Sequence, residues 1–352
     1  MKKLFRKDFE NQIPYKVEEV KPYNLGDNEN RLIDWSHLAD ELSHVFKTYD
    51  YAFYGDSKYS ELRQAVADSL GINPHQVLQG VGSDQMIQMV VETFLDPGQV
   101  LLTVSPDFFM YQAFSMAHGS KFKEFPLDEN FQLDPVAFLA YAKEVNAKVI
   151  ILSQPNNPLS MAHNPAVIEE IIRNFDGFVV IDEAYNDYAD LESLVTRVDE
   201  FDNLIVLRTL SKSYGLAGLR VGFAISNAQL IYEMDKVLPP YNMSDLVAKI
   251  ASHVINEHSG KVQELAEETK VIRNDFMEFL NEVGCQVLPS QTNFVTFRAP
   301  FTKQLWEIAQ TRGFNFKYYS EGPLAGYCRV GIGRPEEMAL LKELISELVE
   351  FQ

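Results

Sequence analysis

One amine stands in unusual company. Lys212 lies within Thr209-Leu-Ser-Lys-Ser-Tyr-Gly-Leu-Ala-Gly-Leu-Arg220, a segment that rings it with the hydroxyls of Thr209, Ser211 and Ser213 and follows it with glycines and a second cation, Arg220. A lysine whose pKa is lowered by burial and a nearby cation can form an imine with an aldehyde. Hydroxyls beside a guanidinium suit an anion. An isolated Ser-Lys pair reads as an ordinary surface lysine on a loop. Further polar clusters change that reading, because each follows an apolar run: Pro155-Asn-Asn-Pro158 and Asp182-Glu-Ala-Tyr185. Gly82-Ser-Asp84 instead opens a helical pattern, where free backbone amides and the helix dipole attract a phosphate. Ser83 and Asp84 could equally be ordinary N-cap residues.

The elements that must position these residues are legible as periodicity. Val100–Val104, Lys148–Leu152, Phe178–Ile181, Leu204–Leu207 and Val221–Ile225 are short apolar runs without polar alternation, as expected of strands covered on both faces. Between them lie helical patterns. Leu62, Ala65, Val66 and Leu70 share one face; Met86, Ile87, Val90, Val91, Phe94 and Leu95 share another. Asp134-Pro135 and Asn164-Pro165 each read as an N-cap with proline at the first helical position. The alternation predicts an α/β domain with a mostly parallel sheet, whose ligands sit outside the carboxyl ends of the strands. Asn157, Asp182 and Lys212 all fall at such ends. After Pro239 the texture changes to a long helical pattern, with Leu265, Ile272, Phe276 and Leu280 on one face, then short strand-like pieces at 286–288, 293–297 and 327–332. Residues 1–45 are expected to form an arm that joins the small domain, 46–245 a large α/β domain and 246–352 a smaller α+β domain.

Composition excludes several classes. The chain has 352 residues, 46% hydrophobic and 23% charged, and a formal net charge of −19. Such acidity argues against a nucleic-acid or anionic-membrane partner. No apolar stretch approaches the roughly 20 residues that span a bilayer. The basic N-terminus has no apolar core behind it, so no secretion signal is expected. Two cysteines, Cys285 and Cys328, show no metal-ligand spacing and point to a reducing compartment, hence the cytoplasm. The seven histidines show no His-x-x-x-His pattern, and no metal is expected. No Gly-x-x-x-x-Gly-Lys-Ser/Thr is present, which removes a P-loop.

Taken together, the motifs resemble those of the fold-type I pyridoxal-phosphate (PLP) aminotransferases of class I/II, closest to the histidinol-phosphate aminotransferase group. The resemblance covers nearly the whole chain and rests on Gly82-Ser-Asp84, Pro155-Asn-Asn-Pro158, Asp182-Glu-Ala-Tyr185, Thr209 to Arg220 and Arg329-Val-Gly-Ile-Gly333 in order. It implies a large domain with a mostly parallel seven-stranded sheet flanked by helices, plus the smaller α+β domain. It implies that Lys212 holds the cofactor and shuttles a proton, and that Asp182 pairs with the pyridine nitrogen. Asn157 and Tyr185 would hydrogen-bond the ring's phenolic oxygen, and Phe108 would supply an aromatic face where tyrosine is usual. The phosphate would meet the amides at Ser83 and Asp84, the hydroxyls of Thr209 and Ser211, and Arg220. Tyr54 would reach it from the neighbouring subunit of a homodimer with shared sites. Arg329 would bind a substrate carboxylate, and Tyr15, Asn28 and Asn293 would line the substrate pocket.

Three departures stand out. Where the group carries an arginine for the substrate phosphate, Gly313-Phe-Asn-Phe-Lys317 has Lys317, which keeps the charge and loses the bidentate fork. Arg31 follows Asn28-Glu-Asn30 where proline is usual, and Leu159-Ser160 replaces Thr-Gly. The expected reaction is ping-pong exchange between a small-molecule amine donor, L-histidinol phosphate, and a 2-oxo acid, 2-oxoglutarate. An aromatic amino acid aminotransferase, motivated by Phe316, Tyr318 and Tyr319 around Lys317, is the alternative. A decarboxylase of an O-phosphorylated amino acid is a further one. A non-catalytic regulator is disfavoured, because such proteins add a DNA-binding module and the chain is acidic.

Overall fold

Apolar runs buried on both faces make the strands of the main sheet, and the amphipathic segments between them cover it. The computed structural model describes residues 21–350. Its first elements are a two-residue strand, β1 (Tyr23–Asn24), and two short helices, α1 (Leu38–Glu41) and α2 (Ser43–Thr48). The chain then runs through α3 (Ser60–Leu70), β2 (Val77–Val81), α4 (Gly82–Phe94), β3 (Val100–Ser105), α5 (Met110–His118) and β4 (Lys121–Pro126). It continues with α6 (Pro135–Glu144), β5 (Ala147–Ser153), α7 (Pro165–Asn174), β6 (Phe178–Asp182), β7 (Leu204–Thr209), β8 (Val221–Ser226) and α8 (Ala228–Asp235).

Seven of these strands form one sheet in the order β2-β8-β7-β6-β5-β3-β4. Its neighbours pair in parallel except β8, which is antiparallel to both β2 and β7. The mostly parallel seven-stranded α/β sheet expected from the sequence is therefore present. β2 and β4 have no counterpart among the apolar runs read from the sequence. β4 is an edge strand, Lys-Phe-Lys-Glu-Phe-Pro, and its charged positions are exposed; charge of this kind protects an open edge.

Side-chain alternation along the strands divides the core into two layers. Ile150, Leu152, Val179, Ile181, Leu204 and Val206 pack with α3, α6 and α7 on one face. Val149, Ile151, Val180, Ile205 and Leu207 pack with α4, α5 and α8 on the other. Asp182 has the parity of Val180, which turns its carboxylate toward the α4–α5 layer.

The remainder begins with a 38-residue helix, α9 (Asp245–Glu282). It is followed by β9 (Gln286–Val287), β10 (Phe294–Arg298), α10 (Thr302–Thr311), β11 (Phe314–Asn315), β12 (Lys317–Tyr318), β13 (Tyr327–Gly331) and α11 (Pro335–Glu350). A four-stranded antiparallel sheet, β12-β13-β10-β9, packs with α10 and α11 around a second core. β1 pairs in parallel with β11, which fastens residues 23–24 to this smaller unit. α9 serves both cores: Ala248, Ala251, Val254 and Ile255 join the large-sheet core, and Phe276 and Leu280 the second.

Candidate active site

The strand ends and the smaller unit enclose a cleft of about 580 Å³. Thirteen of the residues singled out in the sequence line it: Asn28, Ser83, Asp84, Phe108, Asn157, Asp182, Tyr185, Thr209, Ser211, Lys212, Arg220, Lys317 and Arg329. Three do not. Asn293 is buried behind the wall and donates to the backbone carbonyl of Asn28 at 3.0 Å. Tyr54 is 79% exposed, stacks on Tyr241 at 4.4 Å between ring centroids, and lines a separate surface cleft that shares Arg220. Tyr15 lies outside the described residues. Of the aromatics around Lys317, only Tyr319 lines the cleft; Phe316 is fully buried in the second core and Tyr318 stacks on Trp306.

One end of the cleft is built for an anion. α4 starts at Gly82, directly after β2, so its first amides face the cleft mouth. β8 must pass close beside this turn. A Cβ on Gly222 would stand 2.3 Å from Gly82 C and Ser83 N, and one on Gly82, whose φ is +73°, 2.7 Å from Arg220 Nη2. Arg220 forms an ion pair with Asp84 at 2.9 Å, and Thr209 and Ser211 complete the rim.

The floor carries two acids, Asp182 buried and Asp107 half-buried. Asp182 ends β6 and is 4% exposed; Oδ2 accepts from the Tyr111 hydroxyl at 2.9 Å and Oδ1 from the Ala184 amide at 3.1 Å. Burial pushes its pKa up to about 6, against the pull of the Tyr111 hydrogen bond. Asp107, just past β3, accepts from Thr103 Oγ1 at 2.9 Å, the Phe108 amide at 2.8 Å and the Ser153 hydroxyl. Burial raises it to about 7, opposed by those bonds. Neither Tyr111 nor Asp107 was singled out from the sequence. Both lie in the Pro106-Asp-Phe-Phe-Met-Tyr111 stretch after a strand end, which was the available signal.

Lys212 Nζ donates to the Asp27 carbonyl at 2.8 Å and sits 5.6 Å from the centre of the Tyr185 ring. The loop that carries it is fixed from below. Arg208 bridges Glu183 at 3.1 Å and Asp187, and the Ser213 hydroxyl donates to Asp187. The Tyr185 hydroxyl accepts from Asn28 Nδ2 at 3.1 Å and Asn157 Nδ2 at 3.4 Å. With both lone-pair directions engaged, its own proton is available to the cleft.

At the other end, β12 and β13 present cations side by side, with Lys317 directly opposite Arg329 in the ladder. Arg329 is 9% exposed; it donates to Asn157 Oδ1 and, at 2.6 Å, to the Gly26 carbonyl, and its Nε is buried without a protein partner.

A buried carboxylate poised near neutrality, an amine at the same opening and a glycine-lined helix start define a site for a phosphate-bearing, electron-accepting aldehyde cofactor. The family model for aminotransferase class I and II matches residues 20–345, and the chain belongs to this family of pyridoxal-phosphate-dependent aminotransferases. It is similar to the histidinol-phosphate aminotransferase of Clostridium novyi, 30% identical over 96% of this chain and 95% of that protein. A second, from Synechocystis sp., is 36% identical over 84% of this chain and 83% of its own length. Among solved structures, the histidinol-phosphate aminotransferase of Sinorhizobium meliloti in complex with pyridoxal-5'-phosphate superposes with a TM-score of 0.84 at 22% identity, covering 94% of this chain and 92% of that one.

The residues present fit that cofactor. Asp182 is hydrogen-bonded by a phenol and an amide, leaving a cation such as a protonated pyridine nitrogen as its natural counter-charge. Gly82 and Gly222 leave open the space that side chains would fill at the helix start.

Proposed function

We propose that this aminotransferase transfers the amino group of L-histidinol phosphate to 2-oxoglutarate in two half-reactions at one site. The observation that carries the reading is the pairing of Lys317 and Arg329 at the cleft end opposite Arg220. One anion site at the helix start would serve the cofactor's phosphate. Two further cations would serve the phosphate ester of one substrate and the carboxylates of the other. Similarity to histidinol-phosphate aminotransferases over most of the chain supports the same choice. The aromatic alternative has weaker support, since two of its three aromatics point away from the cleft.

When bound, PLP supplies an electron sink for the carbon whose C–H bond is broken. The chain's own residues do the rest. Lys212 Nζ would hold the cofactor's aldehyde carbon and would serve as the base that carries the proton. Asp182 would pair with the ring nitrogen and keep it protonated. Tyr185 would donate its hydroxyl proton toward the ring oxygen while Asn157 holds Tyr185 and Arg329 in place. The amides at Ser83 and Asp84, the hydroxyls of Thr209 and Ser211, and Arg220 would hold the phosphate.

The same proposal includes a cytoplasmic homodimer. Tyr51, Phe53 and Tyr54 are 69%, 75% and 79% exposed, an aromatic cluster that a second subunit would cover. Both cysteines are free and buried, in keeping with a reducing compartment. No helix among the described residues is long and apolar enough to cross a membrane. The proposal also includes an arm (1–45), a large domain (46–245) and a small domain (246–352); the two separate cores favour two domains, while Leu38 and Leu42 of the arm and Ala248, Ala251, Val254 and Ile255 of α9 pack in the large-sheet core.

The test is a single-turnover half-reaction. Holoenzyme is mixed separately with L-histidinol phosphate, L-phenylalanine and L-glutamate while the cofactor's absorbance is followed. Conversion by the phosphate ester and by glutamate is expected, and Lys317→Ala should slow the first by about 10- to 100-fold, the worth of a hydrogen bond to a charged group. Conversion by phenylalanine but not by the phosphate ester would make the enzyme an aromatic aminotransferase instead.

A further inference from the structure

Three of the seven histidines meet outside the cleft lining described above. His37 and Glu41 lie one turn apart at α1 and project on the same side. His253 and His258 reach them from α9, 212 and 217 residues away from Glu41 in the chain. Nε2 of His253 and of His258 lie 2.7 and 2.8 Å from the same Glu41 oxygen, Oε2. The other oxygen, Oε1, faces His37 Nε2 at 3.7 Å. The ligand atoms of His37, Glu41 and His258 all lie within 4.8 Å of one another.

We propose that His37, Glu41 and His258 form a binding site for one divalent transition-metal ion of the zinc class, with water completing the coordination. Two imidazoles and a carboxylate are the donor set of such ions. At metal–ligand distances of about 2.0–2.2 Å, tetrahedral donors stand roughly 3.3–3.6 Å apart. The observed separations bracket that value, so shifts below about 1 Å would seat the ion.

The surroundings hold the imidazoles in place. The Trp35 indole nitrogen donates to the Tyr214 carbonyl at 2.8 Å, and its ring lies 5.3 Å from His258 and 5.8 Å from His37. His258 is the least exposed of the three ligands, 18% against 34% for Glu41 and 48% for His37. His253 sits outside the triad and is a positioning residue: its Nε2 hydrogen bond orients the carboxylate, as second partners of metal ligands commonly do. A chain of net charge −19 also favours an incoming cation. Bound metal would clip α1, which follows the cleft-lining residues 27–28, to the long helix.

The experiment uses untagged, full-length holoenzyme, treated with chelator and titrated with zinc by calorimetry, with bound metal counted after dialysis. One equivalent per chain is expected. His37→Gln and His258→Gln should each weaken binding by about 10-fold or more, and the double variant should bind none, while His253→Gln weakens it less. Circular dichroism and the transamination rate of each variant should match the parent, which separates ligand loss from misfolding. Cobalt provides a spectroscopic check: the parent should give visible bands that the double variant lacks. Absence of a stoichiometric ion overturns the proposal, as does an equivalent that survives the double substitution.

Discussion

The Tyr111 hydroxyl donates to Asp182 Oδ2 at 2.9 Å across the junction of α5 and β6, two buried residues 71 apart in sequence. This bond opposes the burial that lifts the carboxyl toward neutrality. Removing it with Tyr111→Phe should raise the Asp182 pKa beyond about 6. PLP affinity at pH 7 should fall about 10-fold or more, the scale of a hydrogen bond to a charged group. A spectral titration across pH is the check, and the pH of half-maximal cofactor retention should move upward. A loss of affinity without that movement would reduce Tyr111 to a packing role.

Two raised carboxyls give the cofactor-free chain a defined pH dependence. Asp182 is lifted to about 6 and Asp107 to about 7, both above the usual carboxylate range and both by burial. At these two groups the folded state binds more protons than the unfolded chain, so the stability they contribute is lost as pH rises from about 4 to 7, opposed at its lower end by His163, which burial holds down at about 4. Thermal melts of parent and Asp107→Asn across this window isolate the Asp107 share: the parent's melting temperature should fall more steeply than the variant's between about pH 6 and 7. An unchanged slope in that variant would remove Asp107 from the account.

Gly222 is constrained by space rather than by its backbone angles. A methyl group there would stand 2.3 Å from the backbone at Gly82 and Ser83, neither of which can rotate aside. Gly222→Ala should destabilise the chain by about 1–3 kcal/mol, the usual cost of overpacking. It should weaken PLP binding more than Gly218→Ala, where a Cβ meets nothing within 4 Å. Denaturant melts and cofactor titration of both variants test this.

If Tyr54 serves the partner's cofactor, defects in two subunits should complement. A hybrid of a Lys212→Ala subunit with a Tyr54→Phe subunit would carry both lesions in one site and none in the other. Mixing the two inactive or impaired proteins under subunit exchange should restore transamination above either alone. No restoration would place Tyr54 with its own subunit's site or with neither.

The strand-end polar clusters were legible because chemistry and punctuation coincide there: Asn157, Asp182 and Lys212 each follow an apolar run, and the fold gathers them. What was not legible depends on pairing order. Tyr111 reaches Asp182 because β3 and β6 flank β5, and Asp107 reaches Ser153 for the same reason. Nothing local to either residue encodes that adjacency. Asn293 looked like a pocket residue but faces the arm's backbone, a difference of one layer that periodicity cannot resolve. His37 and His258 show no ligand spacing because their neighbourhood is created by the docking of α1 on α9.

The long helix has a mechanical consequence. At 1.5 Å per residue, the 38 residues of α9 make a rod of about 57 Å. One end is embedded beneath the sheet that carries Asp182 and Lys212, the other beneath the strands that carry Lys317 and Arg329. A tilt of about 5° at the first end displaces the second by about 5 Å, more than a hydrogen-bond length. The rod is a lever, and a bend of a few degrees along it is enough to make or break the grip on a substrate anion while the cofactor end stands still.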